Sequence, residues 1–190
     1  MSLRWAVFLD RDGTLNEEVG LITRPEELRL IPGVPKALLR LREAGALLVV
    51  VTNQPVVARG LIPEEALVPI HDQLKRLLAR EGVSVDAIYY CPHHPEKDHP
   101  EARDPRYRRD CGCRKPKPGM LLDAARDLGI DLGRSFMVGD HGRDVGAGKA
   151  VGCGTVLVGS RDCADARPDA RAADMSAAAD WILARRHDHL

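Results

Sequence analysis

Short apolar runs and amphipathic stretches alternate along this chain. Residues 34, 37, 38, 41 and 44 are apolar, a helical spacing that opens after Pro32-Gly33 and ends at Gly45. Ala46–Val51 is continuously apolar, as expected of a strand buried on both faces of a parallel sheet. The same criteria predict further strands at Trp5–Leu9, Asp86–Cys91, Ser135–Gly139 and Thr155–Val158, and helices at Val34–Ala44, Glu64–Arg80, Pro118–Leu128, Asp144–Ala150 and Ala177–Arg186.

This alternation predicts an α/β fold. Strands that alternate with helices favour a three-layer α/β/α sandwich with a mostly parallel, Rossmann-like sheet. With 190 residues and neither an internal repeat nor a hinge linker, we expect a single domain over residues 1–190, carrying a polar loop at about 91–113. Aromatic residues make up only 4% of the chain, so the core must consist of Leu, Val, Ile and Ala.

Charge and hydropathy exclude several classes of partner. Lys and Arg number 28, as do Asp and Glu, so no global field favours nucleic acid or an acidic membrane surface. No apolar run is long enough to cross a bilayer, and Trp5–Leu9 is too short for the core of a signal peptide. We therefore expect a cytoplasmic monomer that acts on a small molecule, without nucleic-acid or membrane partners.

The first candidate for chemistry is a pair of carboxylates. Asp10 and Asp12 directly follow the first strand and precede Gly13, which permits a sharp turn. One carboxylate can attack phosphorus as a nucleophile. The other can protonate the leaving oxygen and then deprotonate the water that completes the reaction. An isolated Asp-x-Asp-Gly is most simply a solvated turn, so its interpretation depends on the rest of the chain.

Other polar groups follow the neighbouring strands. Thr52 and Asn53 follow the second strand, Asp140 follows the fourth, and Lys115 precedes a helix. Ligands of parallel sheets bind beyond the carboxyl ends of the strands, so these side chains are predicted to converge. A hydroxyl and a lysine suit phosphoryl oxygens, and carboxylates suit Mg²⁺, which would offset the repulsion between phosphate and aspartate. Asp144 follows one helical turn after Asp140.

The cysteines indicate a second metal. Their number is five, and an odd count without a signal segment argues against a disulfide framework. Cys91, His93, Cys111 and Cys113 offer three thiolates and one imidazole, a set that suits a tetrahedral structural Zn²⁺. The polar loop between them has almost no apolar residues with which to pack, and a metal would compensate.

In chain order, these motifs resemble the four signature motifs of the haloacid dehalogenase (HAD) superfamily: Asp10-Arg11-Asp12-Gly13-Thr14, Thr52-Asn53, Lys115 and Gly139-Asp140. The resemblance implies that Asp10 is the nucleophile and a Mg²⁺ ligand, and that Asp12 is the acid/base and binds Mg²⁺ through its carbonyl. Thr52 and Lys115 would steady the phosphoryl group, and Asp140 would complete the magnesium site. Aspartate rather than threonine at position 12 is typical of a phosphatase rather than a dehalogenase.

The zinc segments are similar to a narrower group. Cys91-Pro92-His93-His94-Pro95 and Cys111-Gly112-Cys113-Arg114-Lys115-Pro116 resemble the zinc-containing heptose-bisphosphate phosphatases. That resemblance implies little or no cap, hydrolysis of a heptose 1,7-bisphosphate to the 1-phosphate, and recognition of the second phosphate by Arg114. It implies substrate contacts at Asp10, Arg11, Asp12, Glu18, Val19, Gly20, Leu21, Thr52, Asn53, Gln54, Pro55, Arg114 and Lys115.

Two alternatives stay open from the sequence. Histidinol-phosphate phosphatase domains share the zinc loop, so histidinol phosphate or another small phosphomonoester is a second candidate substrate. A zinc-stabilised binding module with a vestigial site is a third interpretation, although the acidic motifs are intact. The chain also departs from the family at Pro55-Val56-Val57, where Ser-Gly-Ile is usual, and in a longer loop between His93 and Cys111. The first departure removes a hydroxyl and a flexible glycine beside the phosphate pocket and predicts an altered substrate choice, and the second predicts a reshaped pocket rim.

Overall fold

A computed structural model describes residues 4–95, 103–161, 163 and 165–186. Its strands are β1 (Ala6–Leu9), β2 (Leu47–Asn53), β3 (Ala87–Cys91), β4 (Phe136–Gly139), β5 (Gly154–Val158) and β6 (Ala170–Ala172). They form a six-stranded sheet in the order β3-β2-β1-β4-β5-β6, and every neighbouring pair is parallel. The first two motif-bearing strands, β1 and β2, therefore lie side by side at the centre of the sheet.

Helices cover both faces of this sheet. They are α1 (Val34–Glu43), α2 (Leu67–Arg80), α3 (Gly119–Leu128), α4 (Gly142–Lys149) and α5 (Met175–Arg185). Successive side chains of a strand point to opposite faces, so Val7 and Leu9 pack with α1, α2 and α5, whereas Ala6 and Phe8 pack with α3 and α4. The predicted three-layer α/β/α sandwich is confirmed, and both cores consist mainly of aliphatic residues.

The differences from the predicted elements are local. Helix α4 begins two residues before the predicted start, because the Asp144 carboxylate accepts the His141 N–H at 3.0 Å and closes its first turn. Strand β6 was missed, since Ala170–Ala172 has no strand-like pattern and depends on pairing with β5. Asp169 supports that pairing by accepting the Thr155 N–H and hydroxyl at 2.8 and 2.7 Å.

The zinc loop rests on the segment that follows β2. Tyr90 of β3 and Tyr107 of the loop donate to the two oxygens of the Glu64 carboxylate at 3.1 and 2.6 Å, which ties β3 and the loop to the turn before α2. Val56 and Val57 are buried in a small cluster with Leu67, against which both tyrosines pack. The strands of the described residues form one sheet only. The described helices include none that is both long and apolar enough to span a membrane.

Candidate active site

The carboxyl ends of the central strands bring the predicted side chains together. Lys115, fully buried, lies with its Nζ 2.9 Å from Asp10 Oδ1 and 2.6 Å from Asp144 Oδ1. The same ammonium donates to the carbonyl oxygen of Val51, at the end of β2, at 2.6 Å. Asn53 fixes the backbone of this lysine on both sides, since its side chain accepts the Lys115 N–H and donates to the Lys115 carbonyl, each at 3.0 Å.

A second feature is the crowding of carboxylates beside that lysine. Asp10, Asp140 and Asp144 are all buried, and one oxygen of each lies within 4.8 Å of the others. Burial and the nearby Asp144 raise the pKa of Asp10 against the opposing effect of Lys115. Burial and Asp10 likewise raise the pKa of Asp140. The cluster therefore holds more negative charge than Lys115 alone offsets.

This donor set fits a divalent cation. Asp140 Oδ1 is buried and has no hydrogen-bond partner among the described residues, while its Oδ2 lies 3.1 Å from Nη2 of Arg161. Hard carboxylate oxygens of this kind suit Mg²⁺. Asp144 also belongs to the cluster, although the resemblance placed only Asp10, Asp12 and Asp140 in the magnesium site. Its only signal in the sequence was its position one helical turn after Asp140.

The lysine keeps its charge in this buried site. Burial by itself would lower the pKa of Lys115, but Asp10 and Asp144 outweigh that effect and raise it. An ammonium that is fully buried and charged is suited to hold the oxygens of a phosphoryl group.

Two glycines allow the acidic side chains to come so close. A Cβ at Gly139 would lie 2.3 Å from the carboxylate carbon of Asp144, and one at Gly13 would lie 2.5 Å from Asp140 Oδ2. Gly13 also has φ of +78°, a conformation that other residues rarely adopt. Glycine is therefore required at both positions because a side chain would clash with a carboxylate. At Gly13 it is also required by the backbone conformation.

Asp12 belongs to a separate hydrogen-bonded network. Arg11 donates to both of its carboxylate oxygens, at 3.0 and 2.8 Å. Gln54 donates to Asp12 Oδ2 at 3.0 Å and to Thr52 Oγ1 at 2.9 Å, and Asn16 donates to Asp12 Oδ1 at 2.9 Å. Burial would raise the pKa of Asp12, but Arg11 and these donors lower it. The side chains of Arg11 and Gln54, which the resemblance associates with substrate, are thus directed at Asp12 and Thr52.

The network opens into a cleft of about 270 Å³. Most of the substrate contacts implied by the resemblance lie on its wall or directly beneath it. The lining residues are Asp12, Glu18, Gly20, Leu21, Asn53, Pro55, Arg59, Arg114 and Arg143. Val19 is 54% exposed and lies outside this lining. Arg59 and Arg143 were not predicted, and Arg143 carries no signal in the sequence beyond its place between two acidic residues.

Only the first residue of the unusual Pro55-Val56-Val57 sequence lies at the cleft. Pro55 lines the cleft, whereas Val56 and Val57 are almost completely buried beneath the zinc loop. Those two valines contribute to the packing that supports the loop and do not line the cleft.

The four predicted zinc ligands form a compact cluster. Cys113 Sγ lies 3.2 Å from Cys91 Sγ, 3.4 Å from Cys111 Sγ and 3.4 Å from His93 Nδ1. Cys91 Sγ lies 3.5 Å from Cys111 Sγ, so these cysteines are free rather than disulfide-bonded. Bonds of about 2.3 Å to one tetrahedral ion would separate thiolates by about 3.8 Å, only slightly more than these distances, so the set fits Zn²⁺.

Arg114 connects the zinc cluster to the cleft. Arg114 follows Cys113 directly and donates from Nη1 to the carbonyl oxygen of His93 at 3.0 Å. The same side chain lines the cleft. The order of the zinc loop and the position of this cation are therefore linked.

Known proteins match both the sequence and the fold. A family model described as HAD-hydrolase-like matches residues 112–183. The D-glycero-β-D-manno-heptose-1,7-bisphosphate 7-phosphatase of Photorhabdus laumondii is 45% identical over 153 residues, which is 80% of this chain and 79% of that protein. The protein of the same name from Escherichia coli K12 is 42% identical over 179 residues, 94% of this chain and 87% of the relative. The chain belongs to this phosphatase family.

Membership of the heptose-bisphosphate phosphatase family agrees with the fold. A crystal structure of D,D-heptose 1,7-bisphosphate phosphatase from B. bronchiseptica, complexed with magnesium and phosphate, matches with a TM-score of 0.77 and 33% identity over 96% of this chain and 99% of that one. The chain is a HAD-type phosphoric monoester hydrolase, which confirms the enzyme interpretation over a binding module. The family implies a divalent metal, and the acidic cluster provides a place for it.

Proposed function

We propose that this phosphatase hydrolyses the 7-phosphate of D-glycero-β-D-manno-heptose 1,7-bisphosphate, releasing the 1-phosphate and inorganic phosphate. The observation that carries the proposal is the contact of buried Lys115 with Asp10 and Asp144 beneath a cleft lined by arginines. The names of the relatives support the substrate. The cationic lining suits a substrate with two phosphates better than histidinol phosphate, which carries one phosphate and an amine.

In the first step, Asp10 acts as the nucleophile. Its Oδ1 accepts the Arg11 N–H at 2.8 Å and lies beside Lys115, and no described residue donates to Oδ2. Attack by Oδ2 on the 7-phosphate forms a new bond from oxygen to phosphorus and breaks the bond from phosphorus to the sugar oxygen. The ammonium of Lys115 and the hydroxyl of Thr52 hold the oxygens of the phosphoryl group while charge builds up on them.

Asp12 moves the protons of both steps. The arrival of a phosphate dianion raises the pKa of a neighbouring carboxyl, so Asp12 carries a proton when substrate is bound and gives it to the departing sugar oxygen. In the second step, water attacks the aspartyl-phosphate and Asp12 accepts its proton. Phosphate then leaves and the Asp10 carboxylate is restored. The contact with Arg11 favours the ionised Asp12 that this second step requires.

We further propose that Mg²⁺ is held by Asp10, Asp140 and the Asp12 carbonyl, with Asp144 beside them. When bound, this ion supplies positive charge that offsets the repulsion between the phosphate and the carboxylates. Zn²⁺ held by Cys91, His93, Cys111 and Cys113 is proposed as a structural ion that orders the loop carrying Arg114. The crowded carboxylates and the mutual distances of the zinc cluster support this division.

A substrate panel tests the function. Phosphate release is measured with both anomers of heptose 1,7-bisphosphate and with histidinol phosphate, using the wild type, Asp10→Asn and Asp123→Asn. Asp123 is a half-exposed residue of α3 and serves as the matched control. We expect the β-anomer to be preferred and Asp10→Asn to lose about a thousandfold or more in kcat. A strong preference for histidinol phosphate, or full activity of Asp10→Asn, would overturn the proposal.

A further inference from the structure

The cleft above Asp12 has an uneven distribution of charge. Three guanidinium groups line it, those of Arg59, Arg114 and Arg143. The acidic side chains of the same lining already have donors: Asp12 accepts from Arg11, and Glu18 accepts the Gly20 N–H at 3.0 Å. Among the described residues neither Arg114 nor Arg143 forms an ion pair, so the positive charge of these two side chains is available to a ligand.

Arg143 differs from the other cations close to the site. Lys115 pairs with Asp10 and Asp144, and Arg161 pairs with Asp140. In the described part of the chain, no carboxylate lies within ion-pair distance of Arg143. Its Nε is buried and has no hydrogen-bond partner there. A buried donor of a charged group without an acceptor is costly, which is a reason to expect a ligand that supplies one.

Arg114 stands next to this group in the same cleft. Its side chain donates to the carbonyl oxygen of His93 at 3.0 Å, which holds that side chain on the zinc loop. Arg114 and Arg143 line the same cleft and carry like charges, so they repel one another, and an anion between them would relieve that repulsion.

The position of Arg143 relates this wall to the chemistry. It occupies the first turn of α4, between Asp140 and Asp144, whereas Arg114 comes from the zinc loop. Arg143 and Arg114 therefore reach one cleft from different segments. The phosphoryl group that reacts has a different cation, the buried ammonium of Lys115. Arginine is suited to bind phosphate oxygens through two parallel N–H groups.

We propose that Arg143 is a specificity-determining residue that, together with Arg114, binds the second phosphate of the substrate, the one that is not hydrolysed. The inference rests on the proposed function and deepens it, since it assigns a residue of α4 to the choice of a bisphosphate over a monophosphate. Loss of this contact weakens binding of the bisphosphate more than that of a sugar with the 7-phosphate alone.

The test compares two substrates and four proteins. Values of kcat/KM are measured for heptose 1,7-bisphosphate and for heptose 7-phosphate with the wild type, Arg143→Gln, Arg143→Lys and Arg76→Gln, the last an exposed arginine of α2. We expect Arg143→Gln to lower the ratio of the two values by about tenfold or more, mainly through KM of the bisphosphate. Arg143→Lys should recover part of the ratio, and Arg76→Gln should match the wild type.

Two results would overturn the inference. An equal loss of kcat/KM on both substrates would mean that Arg143 acts on the phosphoryl group that reacts, and unchanged kcat/KM on both would mean that it does not contact the second phosphate. Failure of the proposed function is a different result, since the wild type would then release no phosphate from the bisphosphate. In that case, calorimetric titration with heptose 1-phosphate still tests whether Arg143 binds this phosphate. A dissociation constant about tenfold larger for Arg143→Gln than for the wild type would support the inference, and equal constants would refute it.

Discussion

Arg11, whose side chain is completely buried, donates from Nε and Nη2 to the two carboxylate oxygens of Asp12 at 3.0 and 2.8 Å. The residue between the two proposed catalytic aspartates thus fixes the orientation of the second one. It also lowers the pKa of that carboxyl, against the effect of burial. Arg11 is therefore a positioning residue, whereas its sequence neighbours Asp10 and Asp12 are the proposed catalytic residues.

Replacing Arg11 should therefore shift the pH dependence of turnover. Arg11→Lys retains a positive charge but loses the planar fork, so we expect the pKa of Asp12 to rise. As the proposed base, Asp12 would then lose its ionised form at a higher pH, and the acid limb of kcat should move to higher pH. Profiles of kcat against pH measure this shift. Arg24→Lys, at an exposed arginine, is the control. An unmoved acid limb with normal thermal stability would contradict the assignment.

Gly139→Ala should disrupt the site by a steric clash alone. The added methyl group would lie 2.3 Å from the Asp144 carboxylate carbon, so this side chain must move away from Lys115. We expect a loss of about 1–3 kcal/mol in the free energy of unfolding and a large drop in kcat. Gly133→Ala is the matched control, because its methyl group would meet Asp131 at an ordinary 3.5 Å. Equal behaviour of the two variants in urea unfolding and phosphate release would refute the steric argument.

Removal of the two proposed metals should have different effects. Chelation of Zn²⁺, or Cys113→Ser, should lower the melting temperature and raise KM, because Arg114 is held by the zinc loop. Omission of Mg²⁺ should abolish turnover while the protein stays folded. Cys163→Ser, outside the zinc cluster, is the control. Loss of folding without Mg²⁺, or a zinc-free protein of unchanged stability, would refute this division.

His71 should make stability depend on pH. Burial, reinforced by the positive charge of Arg11, lowers its pKa from 6.5 to about 4, and its Nε2 is buried without a partner among the described residues. Since the unfolded chain binds a proton below pH 6.5 and the folded one does not, stability is fully present above 6.5 and falls as the pH drops towards 4. We expect a loss of about 2 kcal/mol between about pH 7 and about pH 5.

Urea unfolding of the wild type and His71→Phe at these two pH values measures that contribution. Phenylalanine keeps a ring beside Tyr90, whose centroid lies 5.4 Å from that of the histidine, but cannot take up a proton. The variant should lack the loss assigned to His71, so its stability should fall less between the two conditions. Equal falls in both proteins would show that His71 does not contribute.

The sequence by itself determined strands β1–β5, the five helices and the convergence of Asp10, Lys115 and Asp140. Continuous apolar runs specify strands buried on both faces, and the carboxyl ends of parallel strands share one edge of the sheet. The zinc ligands could likewise be predicted from the sequence, because a C-x-H and a C-x-C pair provide a complete tetrahedral set. Each of these conclusions depends on local spacing or on a general rule of sheet topology.

Only the tertiary structure decided which way several side chains point. Arg11 turns inward to Asp12, Asp144 reaches Lys115, Arg143 lines the cleft, and Val56 lies under the zinc loop. Strand β6 likewise exists through its pairing with β5. Apart from the contact between the neighbours Arg11 and Asp12, these outcomes depend on contacts between segments far apart in the chain. In each case, available space, burial and the nearest opposite charge select one orientation. Spacing along the sequence carries no record of those three quantities.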